Sequence, residues 1–116
     1  MSVYPTWKNK NTGNVISIIS DCSEAGGEQS LNSLHQMVEG SVDNLKIIKE
    51  EKIFFKNKPA LLHYSQGELD SLPIEIESMS FKRKNCSYLT SLSGKKGNLE
   101  LDRKAYRQFS ESLTFE

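Results

Sequence analysis

Between Leu45 and Leu92 the chain is almost continuously strand-forming, cut at short intervals by turn-forming residues. Leu45-Lys46-Ile47-Ile48-Lys49 and Lys52-Ile53-Phe54-Phe55 lie on either side of a Glu50-Glu51 step. Asn57-Lys58 is a turn candidate ahead of Pro59, and Ala60–Ser65 reads as the next strand. Gln66–Ser71 reads as a connecting loop. Leu72 to Lys84 is the longest extended piece, with Ile74 and Ile76 on one face and Met79 and Phe81 on the other. That change of phase near Ser78 predicts either a bulge or a strand buried first on one face and then on the other. Lys82-Arg83-Lys84-Asn85 is a hairpin tip, and Ser87–Leu92 is the return strand. A parallel return needs a crossover of a dozen or more residues, so strands joined this tightly form an antiparallel sheet.

The flanking segments supply what covers that sheet. A short strand around Tyr4–Lys8 and a β-branched strand at Val15–Ser20 enclose the turn-rich run Lys8–Asn14. Gly26-Gly27 marks a loop. Ser30 is a candidate N-cap for a helix of about ten residues, with Leu31, Leu34 and Val38 on one face and Gly40 at a left-handed end. A helix that short takes its stability from docking. The spacing predicts a last helix from Leu99 or Asp102 to Leu113, with Ala105, Phe109 and Leu113 as its buried stripe, Leu101 beneath and Tyr106 alongside. The order is β-β-α-β-β-β-β-α: one α+β domain over 1–116, with an antiparallel sheet of about five or six strands and two helices. With 116 residues, 36% of them apolar, there is material for one modest core.

Charge narrows the function. Lys+Arg and Asp+Glu are 15 each. A basic excess is the electrostatic footprint of nucleic-acid binding, and the sequence has none, so no nucleic-acid partner is expected. No run approaches the roughly 18 apolar residues of a membrane-spanning helix. The start, Met1-Ser2-Val3-Tyr4-Pro5, lacks the pattern of a signal peptide. The expectation is a cytosolic protein or a mature domain behind an added Met. Cys22 and Cys86 bear on that choice. They lack the short spacing of a zinc site and read as one disulfide closing a loop of about 64 residues, worth roughly 4 kcal/mol in the chain-entropy model. That reading implies a periplasmic or extracellular location. Two unrelated reduced cysteines in a cytosolic protein are the alternative.

Several local signatures carry a resemblance. Ser30–Gly40, then Leu45-Lys46-Ile47-Ile48, then Phe55-Lys56-Asn57-Lys58-Pro59-Ala60-Leu61-Leu62, with Tyr88 in the strand after the long hairpin and Phe109 in the last helix, resembles the PsbP/Mog-like family of α/β sandwiches, including its DcrB-like bacterial branch. The resemblance spans roughly residues 15–115 and rests on turn and packing positions. The family's usual hairpin glycine is Asn57 here. The cysteine pair also resembles, loosely, those of small bacterial envelope lipoproteins. The resemblance implies a non-enzymatic protein that partners, assembles or chaperones other proteins, with no active site to transfer; fold-level analogy alone carries no function.

The residues themselves offer few sites. His35 and His63 have no evident companion ligands at metal-binding spacing, and no G-x-S-x-G elbow or phosphate loop occurs, so no catalytic residue, metal or cofactor is assigned. Glu75 and Glu77 share a strand face, read as the solvent face, with paired acid–base work as the sharper alternative. Lys82, Arg83 and Lys84, with Lys95-Lys96, form either a solvated tip or a basic patch for an anionic surface or acidic partner. Trp7, Tyr4, Phe54 and Phe55 are candidates for a partner-binding surface. Phe54 and Phe55 are consecutive and face opposite sides of their strand. The expected function is a protein-binding module of the bacterial envelope, the soluble part of a lipoprotein whose lipid anchor lies outside this chain. The alternative is a cytosolic secretion-type chaperone or adaptor that shields a client.

Overall fold

Three turns set the register of most of the sheet. The computed structural model describes residues 2–3, 6–22 and 30–113. Strands β4 (Asp43–Phe55), β5 (Lys58–Leu69), β6 (Leu72–Arg83) and β7 (Cys86–Lys95) are joined by the two-residue turns Lys56-Asn57, Asp70-Ser71 and Lys84-Asn85. All six turn residues have positive φ, between 50° and 67°. Positive φ at both central positions defines the type I′ turn, whose twist matches that of the strands it joins. The first turn therefore falls one residue earlier than Asn57-Lys58. The predicted loop Gln66–Ser71 is mostly strand, because β5 runs on to Leu69. The Glu50-Glu51 step does not interrupt β4.

The N-terminal strands complete the sheet. β1 (Ser2–Val3) and β2 (Trp7–Lys8) both pair with β3 (Val15–Asp21), which pairs with β7. The order across the sheet is β1-β3-β7-β6-β5-β4, all antiparallel, with β2 beside β1 on β3. Six positions and two helical layers make an α+β fold, as the turn pattern implies. Cys22 and Cys86 are joined by a disulfide just beyond the last β3–β7 pair, Asp21 with Ser87. Tyr4 and the Gly26-Gly27 loop lie outside the described residues.

Helices cover both faces. The first helical segment is broken, α1 (Leu31–Leu34) and α2 (Gln36–Glu39) being separated at His35. The Ser30 hydroxyl caps α1 by accepting from the Ser33 N–H at 3.1 Å. Gly40 has φ −64°, so the segment ends right-handed, not in the left-handed form expected. A 3-10 turn, Leu99–Asp102, leads into α3 (Arg103–Ser112) on the other face. Asp102, Tyr106 and Ser110 are the buried row, because the polar ends of Asp102 and Tyr106 find partners on the β2–β3 loop and the sheet; Ala105 and Leu101 are exposed, with Phe109 and Leu113 half-buried.

Two-sided cover explains the phase change in β6. Register is continuous on both sides of Ser78, so no bulge is present. Ile76, Ser78 and Ser80 face α1–α2; Glu75, Glu77, Met79 and Phe81 face α3. The α3 face holds Phe55, Ala60, Met79 and Phe81 in one cluster and Leu92, Leu99 and Tyr106 in another. Among the described residues no helix is long and apolar enough to cross a membrane.

Candidate functional site

The α1–α2 face carries a buried polar chain. His35, at the break between the helices, lies against the sheet, and His63 of β5 stacks on it with ring centroids 3.8 Å apart and planes 20° apart. His35 Nε2 lies 3.1 Å from the Leu61 carbonyl and Nδ1 lies 2.7 Å from Ser78 Oγ. A carbonyl only accepts, so Nε2 carries the proton and the serine hydroxyl donates to Nδ1. Burial, then the neighbouring His63, pushes the His35 pKa from 6.5 to about 3, so His35 is neutral.

His63 sits between two carboxylates. Its Nδ1 is 2.9 Å from Oε2 of Glu39, at the end of α2, and its Nε2 is 2.9 Å from Oε1 of Glu50, on β4. Each ring nitrogen therefore faces a carboxylate oxygen at hydrogen-bond distance. Glu39 is completely buried at its side chain, whereas Glu50 is half exposed. The chain Glu39–His63–Glu50 therefore fastens the helical segment to β5 and β5 to the edge strand.

These groups correct the expectation that the histidines lack companions. His35, Glu39 and His63 each place a donor atom within 4.8 Å of the others. The four-residue spacing of His35 and Glu39 was the available signal; His63 arrives only through the fold. An imidazole binds a metal in its own ring plane, so rings stacked one above the other do not aim both lone pairs at one ion. The arrangement is a hydrogen-bonded core network.

Beside it lies an apolar cleft. Phe54 and Lys52 of β4, Pro59 and Leu61 of β5, and Leu31 and Asn32 of α1 surround a space of about 570 Å³. Phe54 is 79% exposed, the most exposed large apolar side chain among the described residues, while Phe55 is buried in the core on the opposite face. Alternation along β4 accounts for that division.

The other sequence candidates are occupied internally. Glu75 and Glu77 are buried, not solvent-facing, because the loop and helix that follow β7 return over that face. Glu75 accepts from Tyr64 at 2.6 Å and from the Gly97 N–H at 3.3 Å. Glu77 pairs with Arg103 at 3.1 Å. Trp7 is half exposed and packs edge-on against Phe109 at 4.8 Å. Arg83 donates to the Phe55 carbonyl at 2.6 Å and lies over the Phe81 ring, while Lys84 stands in the turn. Lys82, Arg83 and Lys84 thus sit at the far end of the β6–β7 hairpin, next to the disulfide.

Asp102 is a second polar centre, and a structural one. It accepts from Thr12 Oγ1 at 2.6 Å and from Asn9 and Asn14 Nδ2 at 2.8 Å each, tying the β2–β3 loop to α3. The Thr12 and Asn9 donors hold its carboxyl below the ordinary 3.8, with burial opposing them. A depressed folded-state pKa gives stability that is fully present above the unfolded value and disappears as pH falls through the folded one. Below about pH 4 the melting temperature is expected to fall more steeply in the wild type than in D102N. Equal slopes in acid melts of the two proteins would contradict this.

The same fold occurs in a crystal structure of a Pseudomonas aeruginosa protein of unknown function, PA94, suggested to be a regulator. The TM-score is 0.77 at 17% identity, covering 99% of this chain and 83% of that one. Similarity at that identity concerns the fold alone. No protein-family model and no curated protein matches the sequence.

Proposed function

We propose that this chain is a non-enzymatic binding module, PsbP/Mog-like in kinship, that holds a segment of another protein at the Phe54 cleft. The observation that carries the reading is Phe54 itself, a large aromatic 79% exposed at the mouth of an apolar cleft of about 570 Å³. Exposed aromatics beside a pocket are the usual anchors of protein interfaces. The carboxylates that suggested acid–base chemistry are taken up by internal partners, which favours binding over catalysis. The disulfide is consistent with an oxidising, extracytoplasmic compartment, which supports the reading of an envelope protein.

The test is photocrosslinking from a photoreactive phenylalanine analogue at position 54, in the cells that make the protein. A discrete adduct at 54, absent from the same analogue at Phe109, is expected; no adduct at 54 would overturn the reading. Once the partner is identified, F54A is expected to weaken capture by about 30-fold, a loss of roughly 2 kcal/mol. Its unfolding free energy should stay within about 0.5 kcal/mol of wild type, because the side chain is exposed.

A further inference from the structure

We infer that the partner segment binds as an extended strand added to the outer edge of β4, with an apolar residue opposite Phe54 and an acidic residue opposite Lys52. This inference rests on the binding reading above and specifies its geometry.

The edge is open and straight where it borders the cleft. Among the described residues β4 pairs only with β5 and ends the sheet, so alternate backbone N–H and C=O groups face outward without a ladder partner. Its two register shifts lie between Asp43 and Lys46 and between Ile47 and Lys49. From Lys49 to Phe55 the register with β5 is unbroken, Lys49 with Tyr64 through Phe55 with Lys58. Bulges blunt a sheet edge, and here they blunt only the half away from the cleft.

Charge selects the occupant. On the α1 side of β4 the outward row is Glu50, Lys52 and Phe54, opposite His63, Leu61 and Pro59. Glu50 is matched by His63, and on the other face Lys49 is matched by Glu51 at 3.0 Å. Lys52 is left as the unmatched charge on the cleft side among the described residues. A second copy of this chain does not suit the edge. Pairing centred on Glu51, which brings Glu50 opposite Lys52, sets Glu51 against its own copy and runs into the register shift between Ile47 and Lys49. Antiparallel pairing centred on Lys49–Phe55 sets Lys52 against its own copy, and like charges directly opposite are destabilising. A foreign strand reading apolar–x–acidic, antiparallel to β4, answers Phe54 and Lys52 together. Main-chain bonds would then supply affinity and the cleft specificity, as in other strand-addition complexes.

The probe is the blocked peptide acetyl-Thr-Val-Leu-Thr-Asp-Thr-Thr-amide, titrated into the intact oxidised protein and followed by backbone amide NMR. Shifts centred on Lys49–Phe55 are expected, with an affinity that falls at least tenfold when alternate peptide nitrogens are methylated. Methylation leaves every side chain in place and removes only strand pairing. A twin peptide with lysine for aspartate is expected to bind several-fold more weakly, and K52E is expected to reverse that preference. Equal binding of the methylated peptide, or no shifts along Lys49–Phe55 at millimolar peptide, would overturn strand addition. Partner capture through Phe54 would still stand in that case. The converse, peptide pairing without any crosslink at position 54, would overturn the cleft reading of function.

Discussion

Opening the Cys22–Cys86 bridge is expected to lower the stability of this protein by about 4 kcal/mol. The two cysteines are 64 residues apart, and the loop between them contains α1, α2, β4, β5 and β6. In the unfolded chain the bridge removes the entropy of that whole loop, so the effect is near the upper end for one cross-link. In the folded chain it joins neighbours the sheet has already aligned, at the end of the β3–β7 ladder. A domain of this size has about 5–15 kcal/mol in total. C22S/C86S is therefore expected to melt about 15 °C below wild type, taking a few degrees per kcal/mol. The measurement is a pair of thermal and denaturant melts of the oxidised protein and the double variant. A difference below about 1 kcal/mol would mean that the unfolded chain is already constrained in this region. Intact mass after alkylation, with and without reduction, checks the bridge directly in protein from its native compartment.

Removing His63 is expected to be almost as damaging, by a different route. H63L takes away the group that answers the buried Glu39 carboxylate, whose Oε1 already has no hydrogen-bond partner among the described residues. Breaking a buried pair on one side typically costs about 3–5 kcal/mol, because the other charge stays buried and unanswered. Glu50 behaves differently: half exposed, it swings into water at little cost. The double variant E39M/H63L removes both members and fills similar volume. It is expected to recover most of the loss, to within about 1–2 kcal/mol of wild type. Denaturant unfolding of the wild type, both singles and the double closes the cycle. Additive losses would show that Glu39 and His63 are not energetically coupled. Because β4 hangs on the same chain through Glu50, H63L is also expected to speed amide exchange along β4 before the rest of the sheet.

Local chemistry made much of the architecture readable. Asn57 and Asn85 tolerate positive φ, and strand-forming runs flank them, so the hairpins from β4 to β7 follow from short-range rules. The consecutive pair Phe54 and Phe55 had to split between two faces, since side chains alternate along a strand. The last helix was legible as a helix but not in its rotation. The buried row is Asp102, Tyr106 and Ser110 and Leu101 is exposed; that row and the one through Ala105, Phe109 and Leu113 fit a 3.6-residue period equally, and only the surface the helix packs against chooses between them. Glu75 and Glu77 looked solvent-facing because an isolated strand with isoleucines on one face implies water on the other. Only the return of the chain after β7 covers them, with Gly97 reaching Glu75 and Arg103, 26 residues from Glu77, reaching that carboxylate.

By itself, the sequence determined the order of the longer strands and of the two helical regions, the antiparallel pairing through tight turns, and the candidate bridge between two isolated cysteines. These depend on backbone preferences and alternation, which act over a few residues. The tertiary structure alone decided that His35, Glu39, Glu50 and His63 meet, and that β4 is the free edge beside the Phe54 cleft. Glu39 and His63 are 24 positions apart and meet only through β-pairing and helix docking. Burial, which gives a lone histidine its charge partners, is a property of the packed chain rather than of any segment in it.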